Sequence, residues 1–557
     1  MISSETASTK IPAAKLLVDC LAGQGCDRIF TVPGESFLPV LDALVGRDEI
    51  DVVTCRQEGG AAFMACADGT MTGRPGVCFV TRGPGATNAS IGVHVAHQDS
   101  QPMILFVGDV ARPMRDREGF QEVDFPAFFG PVCKWAARIE DASRIPEYIA
   151  RAYSVAMSGR PGPVVLALPE DMLGDMAMAA PRSQVCSPAQ TPCPDAMQAM
   201  MALLADAAAP IAIIGGAGWN AKAREHFQLF AERLGIPVAT AFRRQDAIAP
   251  SSKVYAGNLG YGPNPKLVER VKQADLVIAV GARLGEATTD GYSFPALEHP
   301  DQILIHIHPD PEELGRVYRT DLPICADMAE FAESAALWDD EAVISFDAGA
   351  EAHAEWENWA TAKPKEFALD MGQAVTLMRD QLPADSFICN GAGNFSGWWH
   401  RYWRYEGFPT QLAPTAGAMG YGVPAAVAAA RRFPARTVVA VAGDGDFLMN
   451  GQELATAAQH GCDMIVIVVD NSAYGTIRMH QEREFPERIS ATDLANPDFA
   501  ALARSFGGWA ERAETTAEFK DAVVAAKGRS GIRLVHCVID IEQLAASGAT
   551  ISGLRSR

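Results

Sequence analysis

The sequence predicts an α/β protein made of three doubly wound, parallel-sheet domains. Two observations carry the fold class. Short apolar runs alternate with amphipathic helical stretches along the whole chain, and two compositional breaks divide it. At 557 residues it is also too long for one core. The runs are "GVCFVT" (76–81), "MILFVG" (103–108), "VVLALP" (164–169), "IAIIGG" (211–216), "LVIAVG" (276–281), "ILIHIH" (303–308), "TVVAVAG" (437–443) and "MIVIVVDN" (464–471). Their continuous apolar character fits strands covered on both faces, the hallmark of parallel sheets. The first break, 172–195, is rich in Pro, Ser and Ala and reads as a linker. The second, 336–366, is acidic and dotted with Trp and reads as another connection. Domains of about 1–180, 195–335 and 367–557 follow. Sheets of this kind take ligands at the carboxyl ends of their strands.

Composition removes several function classes. Hydrophobic residues make up 48% and charged residues 21%, as in ordinary globular proteins. A formal net charge of −21 argues against a nucleic-acid or anionic-membrane partner. Residues 1–10 lack the positive start and apolar core of a signal peptide, and no run approaches a membrane span. Twelve scattered cysteines without a CxxC pair suggest neither a zinc site nor a disulfide framework, so a reduced, cytoplasmic location is expected. His94 and His97, at i and i+3, have no third ligand nearby in sequence and read as structural.

The sharpest signal is "VVAVAGDGDFLMNGQELATAAQHGCDMIVIVVDNSAYG", residues 438–475. A strand runs into Gly443-Asp444-Gly445, a helix is expected over roughly 450–460, and a second strand ends in Asp470-Asn471. In a right-handed strand–helix–strand unit, Asp444 and Asn471 emerge on the same carboxyl edge. Two oxygen ligands there suit a hard divalent cation such as Mg²⁺, which also binds phosphate oxygens. The glycines permit close backbone approach to a diphosphate.

This stretch resembles the diphosphate-binding motif of thiamine-diphosphate enzymes. The resemblance extends over "VPGESFLPVLDAL" (32–44), "RQEGGAAFMACADG" (56–69), "TRGPGATN" (81–88), "FQEVD" (120–124), "GRPGPVVLALPEDM" (159–172), "VGARL" (280–284) and "APTAGAMGYGVPAA" (413–426). In that order these are landmarks of the acetolactate-synthase-like branch, 2-oxo acid decarboxylases and carboligases. The resemblance implies that the three domains are pyrimidine-binding, central and diphosphate-binding in chain order, with thiamine diphosphate and Mg²⁺ as cofactors, small 2-oxo acid or aldehyde substrates, and active sites shared between subunits of a homodimer or homotetramer. It implies Asp444, Asn471 and the Ala473 carbonyl as metal ligands, and Gly417, Met419, Gly445, Asp446, Asn394, Tyr474 and Gly475 as cofactor-binding residues. Asp470 stands where family members carry a first Asn.

Glu58 opens an Ala/Gly-rich helix after the strand-like "IDVVT", and the helix dipole alone would favour an acid there. The resemblance implies a second role, a hydrogen bond to the cofactor's pyrimidine, with the small residues letting a flat ring approach. Glu35 in "PGES" matches a position where pyruvate decarboxylases carry an acid that manages protons. Gln121 matches a catalytic position, and Lys134, Ile477 and His480 match a substrate pocket or its entrance. Acetolactate synthases recognise the second 2-oxo acid with an Arg and a Trp, and here these positions fall at Ala287 and His480. Arg82 replaces a small residue and carries no expected role. Arg160, Gly215–Gly218 and Arg283 match positions that hold FAD in the synthase branch, so FAD is left open. The rival readings are a lyase of 2-hydroxy ketones or 2-hydroxyacyl thioesters, a flavin oxidase, and a catalytically silent cofactor-binding regulatory protein.

Overall fold

The computed structural model describes residues 10–556 apart from 296, 298–301 and 339–344. The chain packs as two units, Met1–Pro188 and Ala189–Arg557. The first holds a sheet of β1 (Arg28–Thr31), β2 (Asp51–Thr54), β3 (Gly76–Val80), β4 (Met103–Asp109), β5 (Trp135–Arg138) and β6 (Pro163–Pro169). All its pairings are parallel and the order is β2-β1-β3-β4-β6-β5. A short antiparallel pair, Ile11–Pro12 with Met176–Ala177, closes this unit's two ends on each other.

The second unit holds two sheets. The central one contains β7 (Pro210–Ile214), β8 (Val238–Thr240), β9 (Tyr255–Asn258), β10 (Leu276–Val280), β11 (Ile303–His308) and β12 (Leu322–Cys325), ordered β9-β8-β7-β10-β11-β12. The last contains β13 (Phe387–Asn390), β14 (Gln411–Leu412), β15 (Val438–Gly443), β16 (Met464–Asp470), β17 (Trp509–Ala513) and β18 (Ile532–Val538), ordered β14-β13-β15-β16-β18-β17. These sheets are also parallel throughout. Every residue of β15 and β16 is buried, as strands with helices on both faces require.

In each sheet the first strand sends the chain one way and a later strand sends it the other. The resulting switch points lie between β1 and β3, β7 and β10, and β13 and β15. Ligand crevices form at such points, outside the carboxyl ends of the strands. A buried polar seam joins the two sheets of the second unit. The Gln245 backbone N–H donates to Gln411 Oε1 (2.6 Å), Gln245 Nε2 donates to the His400 carbonyl (2.7 Å), and the Asp246 carboxylate accepts the Thr410 and Gln411 N–H groups.

All eight quoted runs are strands. The stretch expected to be a second connection contains a helix, α3 below, at Ala348–Trp359. Its tryptophans mark a packed face: Trp356 is buried with its ring 4.6 Å from that of Tyr255 on β9. Among the described residues no helix is long and apolar enough to cross a membrane. All twelve cysteines are free thiols.

Candidate active site

In the first unit, the residues picked out by sequence gather at the carboxyl edge of the sheet. Helix α1 (Glu58–Thr72) follows β2, and helix α2 (Gly83–Gln98) follows β3. Glu58 is half-buried at the head of α1, and its Oε2 accepts a hydrogen bond from Asn88 Nδ2 at 2.9 Å. Glu35 follows β1, and its Oε1 lies 3.2 Å from the guanidinium of Arg82. The buried Arg82 forks, pairing also with Glu170 beyond β6, so it ties together the ends of three strands across the switch point. The head of α2 with the residue before it, 82–88, therefore holds both acids: Arg82 holds Glu35 and Asn88 holds Glu58. Gln121 sits against this segment with φ +64°, its carbonyl accepting the Gly83 N–H at 3.0 Å.

The small residues of α1 have a structural use that the sequence reading did not assign. A Cβ on Gly92 would collide with Ala62, and one on Gly69 would collide with the Pro102 carbonyl. The Ala/Gly run thus allows α1 to lie against α2 and the sheet, and this packing accounts for it without a ring.

Lys134 is not brought to this edge. It precedes β5, at the amino end of the sheet, where its Nζ donates to the Ser158 and Arg160 carbonyls at 2.6 and 2.8 Å. Arg160 lies at the same end and donates to Ser100 Oγ and the His97 carbonyl, closing the C-terminus of α2.

In the second unit the groups converge at the β13/β15 switch point. A helix at Leu454–Gln459 falls within the expected 450–460, and helix α4 (Asp444–Asn450) precedes it, starting on Asp444 itself, so the motif's acids occupy its first turn, facing the dipole. Helix α5 (Gly475–Glu484) follows β16. Asp444 Oδ2 and Asn471 Oδ1 each accept the Ala473 N–H at 3.2 Å, so oxygens from adjoining strand ends meet at one point. Asn496, absent from the sequence reading, donates through Nδ2 to Asp444 Oδ2 and to Asp470 Oδ1, both at 2.8 Å. Asp470 Oδ2 pairs with His536 Nε2 on β18 at 2.9 Å, and Oδ1 takes the Ser472 N–H. Burial foremost, then the neighbouring Asp470, pushes the Asp444 carboxyl up. Burial would raise Asp470 too, but the hydrogen bonds from His536, Ser472 and Asn496 overcome it and hold that carboxyl low. Asp470 therefore stabilises the strand end while the nearby oxygens of Asp444 and Asn471 remain for a ligand.

Asp446 joins the loops around the crevice. Its Oδ1 accepts the Gly420 N–H at 2.8 Å and the Ala392 N–H at 3.2 Å, and a Cβ on Gly391 would overlap the carboxylate. Burial foremost pushes this carboxyl up to about 7, against those two N–H donors. Its Oδ2 is buried with no hydrogen-bond partner among the described residues. Asn450 Nδ2 adds a bond to the Gly420 carbonyl (3.0 Å), fixing the loop that carries Gly417 and half-buried Met419. Met419, Gly417, Asn394, Asp444, Gly445, Asp446, Asn471, Ala473, Tyr474, Gly475 and Ile477 all line one groove of about 260 Å³. Gly445 leaves room for the Tyr474 ring, so the motif's second glycine serves the groove wall as well as backbone approach.

This oxygen set suits a hard cation. The orphaned Asp446 oxygen, in the wall of the same groove, suits a bound polar group. Among the described residues no cluster of three or more His, Cys, Asp and Glu side chains could hold a metal, so a cation here must use amide and carbonyl oxygens too. His480, exposed on α5, lines a second and larger cavity beside the groove, and Ala287 lies in a turn beyond β10 that lines neither.

Three family models for thiamine pyrophosphate enzymes match the chain: the N-terminal TPP binding domain over residues 11–128, the central domain over 197–334 and the C-terminal TPP binding domain over 391–537. The acetolactate synthase large subunit of Parasynechococcus marenigrum is 33% identical over 522 residues, covering 89% of this chain and 82% of that protein. The acetolactate synthase isozyme 2 large subunit of Escherichia coli is 30% identical over 532 residues, covering 95% of each. With these matches falling on the sheets that carry the two acid clusters, the chain belongs to the acetolactate synthase-like family of thiamine-diphosphate-dependent enzymes, which are carboligases and decarboxylases.

Proposed function

We propose that this enzyme is a Mg²⁺-dependent 2-oxo acid decarboxylase or carboligase whose groove at the β13/β15 switch point holds the diphosphate end of the cofactor. One observation carries this reading: Asp444 and Asn471 converge on the Ala473 amide from neighbouring strand ends, and all three residues line the same groove. Asp444, Asn471 and the Ala473 carbonyl would hold the cation, and Met419 and Gly417 would border the cofactor's rings. Bound thiamine diphosphate supplies a carbon nucleophile that adds to a carbonyl and stabilises the charge left when the adjacent bond breaks. The protein's part is protons and position. Glu58, oriented by Asn88, would hold a proton against the pyrimidine, and its partial burial strengthens that hydrogen bond. Glu35, held by Arg82, would exchange a proton with the reacting centre.

The acid pair would meet the groove of a second subunit, in a homodimer or homotetramer measurable by light scattering. His480 at the acceptor position supports an acceptor other than that of the synthases. The central sheet has the dinucleotide-fold order, with glycine turns at Gly215–Gly218 and Gly281 meeting at its switch point. These features support FAD, checked by flavin absorbance of the purified protein. The decisive test of the reading is a panel of 2-oxo acids and aldehydes with thiamine diphosphate and Mg²⁺, following CO2 and condensation products. Turnover of at least one 2-oxo acid, abolished in Glu58→Gln, is expected. Rapid formation of acetolactate from pyruvate would overturn the proposal of a different acceptor.

A further inference from the structure

The larger cavity, about 1050 Å³, lies wholly within the second unit. It shares Ala392, Gly393, Asn394, Gly417 and Thr476 with the cofactor groove, so the two are adjoining spaces. One stripe of α5 forms a wall: Thr476, Met479, His480 and Arg483 stand at i, i+3, i+4 and i+7, one face of a helix. The stripe begins at the groove and ends on Arg483, about 10 Å further along the axis at 1.5 Å per residue.

Facing groups keep the lining cationic. Arg243 and Arg401 line it, and the Arg401 hydrogen bonds go to the carbonyls of Trp359 and Ala546. Among the described residues Arg483 and His480 make no hydrogen bond or ion pair. The buried His400 lines the same space with an unpartnered Nε2. Among the described residues that line it, none is an Asp or Glu. Of the two acids on α5, Glu482 is turned to Arg555 on α6 (Ile551–Arg555), with hydrogen bonds at 2.8 and 2.7 Å, and Glu484, four residues beyond His480, is exposed and outside the lining. The Glu482–Arg555 pair brings the terminal segment, through Gly553 and Leu554, onto the cavity as a wall. The cavity opens at the ends of β8 and β9, through Phe242, Arg243 and Asn258, and not at the glycine turns of the β7/β10 switch point.

We propose that this cavity is a substrate subsite for an anionic group at the end of the substrate remote from its reacting carbonyl, with Arg483, about 10 Å along α5 from the groove, as its principal binding residue and His480 beside it. The inference rests on the reading of the groove as the cofactor site, whose ring-bordering Gly417 also lines this cavity. A pyruvate-sized substrate would leave the cavity unfilled, whereas a long ω-anionic 2-oxo acid would span from Thr476 to Arg483. A carboxylate pairs with a guanidinium bidentately, and low local competition from acids strengthens the contact.

The test has two arms on the holoenzyme. In the first, kcat/KM is compared for 2-oxooctanoate and 2-oxosuberate, which differ by a methyl against a carboxylate at the far end. A preference of at least tenfold for 2-oxosuberate is expected, reduced severalfold or more in Arg483→Gln and largely kept in Arg483→Lys. A chain-matched ω-phosphonate separates a carboxylate subsite from a phosphate subsite by which probe is preferred, and either preference supports the anionic assignment. In the second arm, calorimetry compares unreactive suberate with octanoate, and needs no turnover. Tighter suberate binding that weakens in Arg483→Gln supports the subsite even if no 2-oxo acid tried is a substrate, the result that would sink the proposed reaction. Equal binding of the two probes, or a preference that survives Arg483→Gln, overturns the subsite.

Discussion

The acids of the two units are held in opposite ways. Glu35 and Glu58 stand at a sheet edge, each fixed by a hydrogen bond from one shared segment, and the Glu35 side chain is 75% exposed. Asp444, Asp446 and Asp470 are buried and locked by backbone N–H groups, Asn496 and His536. An acid that must exchange protons needs an open face and a light hold. Acids that fix a cation and a diphosphate need to be immobile, and burial supplies the charge demand that a cation satisfies.

Breaking either side of that contrast gives distinct outcomes. The largest is Glu58→Gln: a fall in kcat of about 10²–10⁴ with cofactor affinity nearly unchanged, measured by steady-state kinetics and calorimetry. On the proposed reading Asp444→Ala removes a metal ligand and not merely an outer partner, and should weaken Mg²⁺-dependent cofactor binding by at least about 100-fold. His536→Ala leaves the buried Asp470 oxygen without its donor and should cost about 2 kcal/mol in urea unfolding, before any effect on substrate. Arg82→Met should lower kcat about tenfold and alter the pH profile through Glu35, with KM for cofactor unmoved. The smallest effect is on stability against pH in cofactor-free protein. Asp446 binds its proton more tightly folded than unfolded, so its contribution is complete below about pH 4 and lost as pH rises through about 7. Melting temperature should therefore drop from pH 5 to pH 8, and added cofactor with Mg²⁺ should narrow that drop.

The two clusters were not equally legible. The long apolar strands announce themselves, and the GDG–DN spacing brings Asp444 and Asn471 together without any coordinates. Short or edge strands such as Val238–Thr240 and Gln411–Leu412 give no periodic signal because two or three residues cannot carry one. β18 was hidden by Arg533 and His536, polar residues whose partners, Asp463 and Asp470, lie far away in sequence. Asn496 follows no motif at all. It matters only because an isolated bridge between Ala473 and Asp493 folds its loop back onto the strand ends. Arg82 looked like a lone anomaly because its two acids come from strands far apart in the chain.

The bridging amide of Asn496 also bears on how the enzyme ages. Both of its N–H bonds are spent, one on each acid. Hydrolysis of that amide would remove two donors and add a third negative charge among carboxylates that already compete for protons. Asparagine usually loses its amide when the next residue's backbone nitrogen attacks the side-chain carbonyl. Here the next residue is Pro497, whose nitrogen carries no hydrogen and cannot close that ring. The site most sensitive to a slow chemical change is thus covalently guarded by its neighbour, and Pro497→Gly should show the difference as acid accumulating at residue 496 during storage.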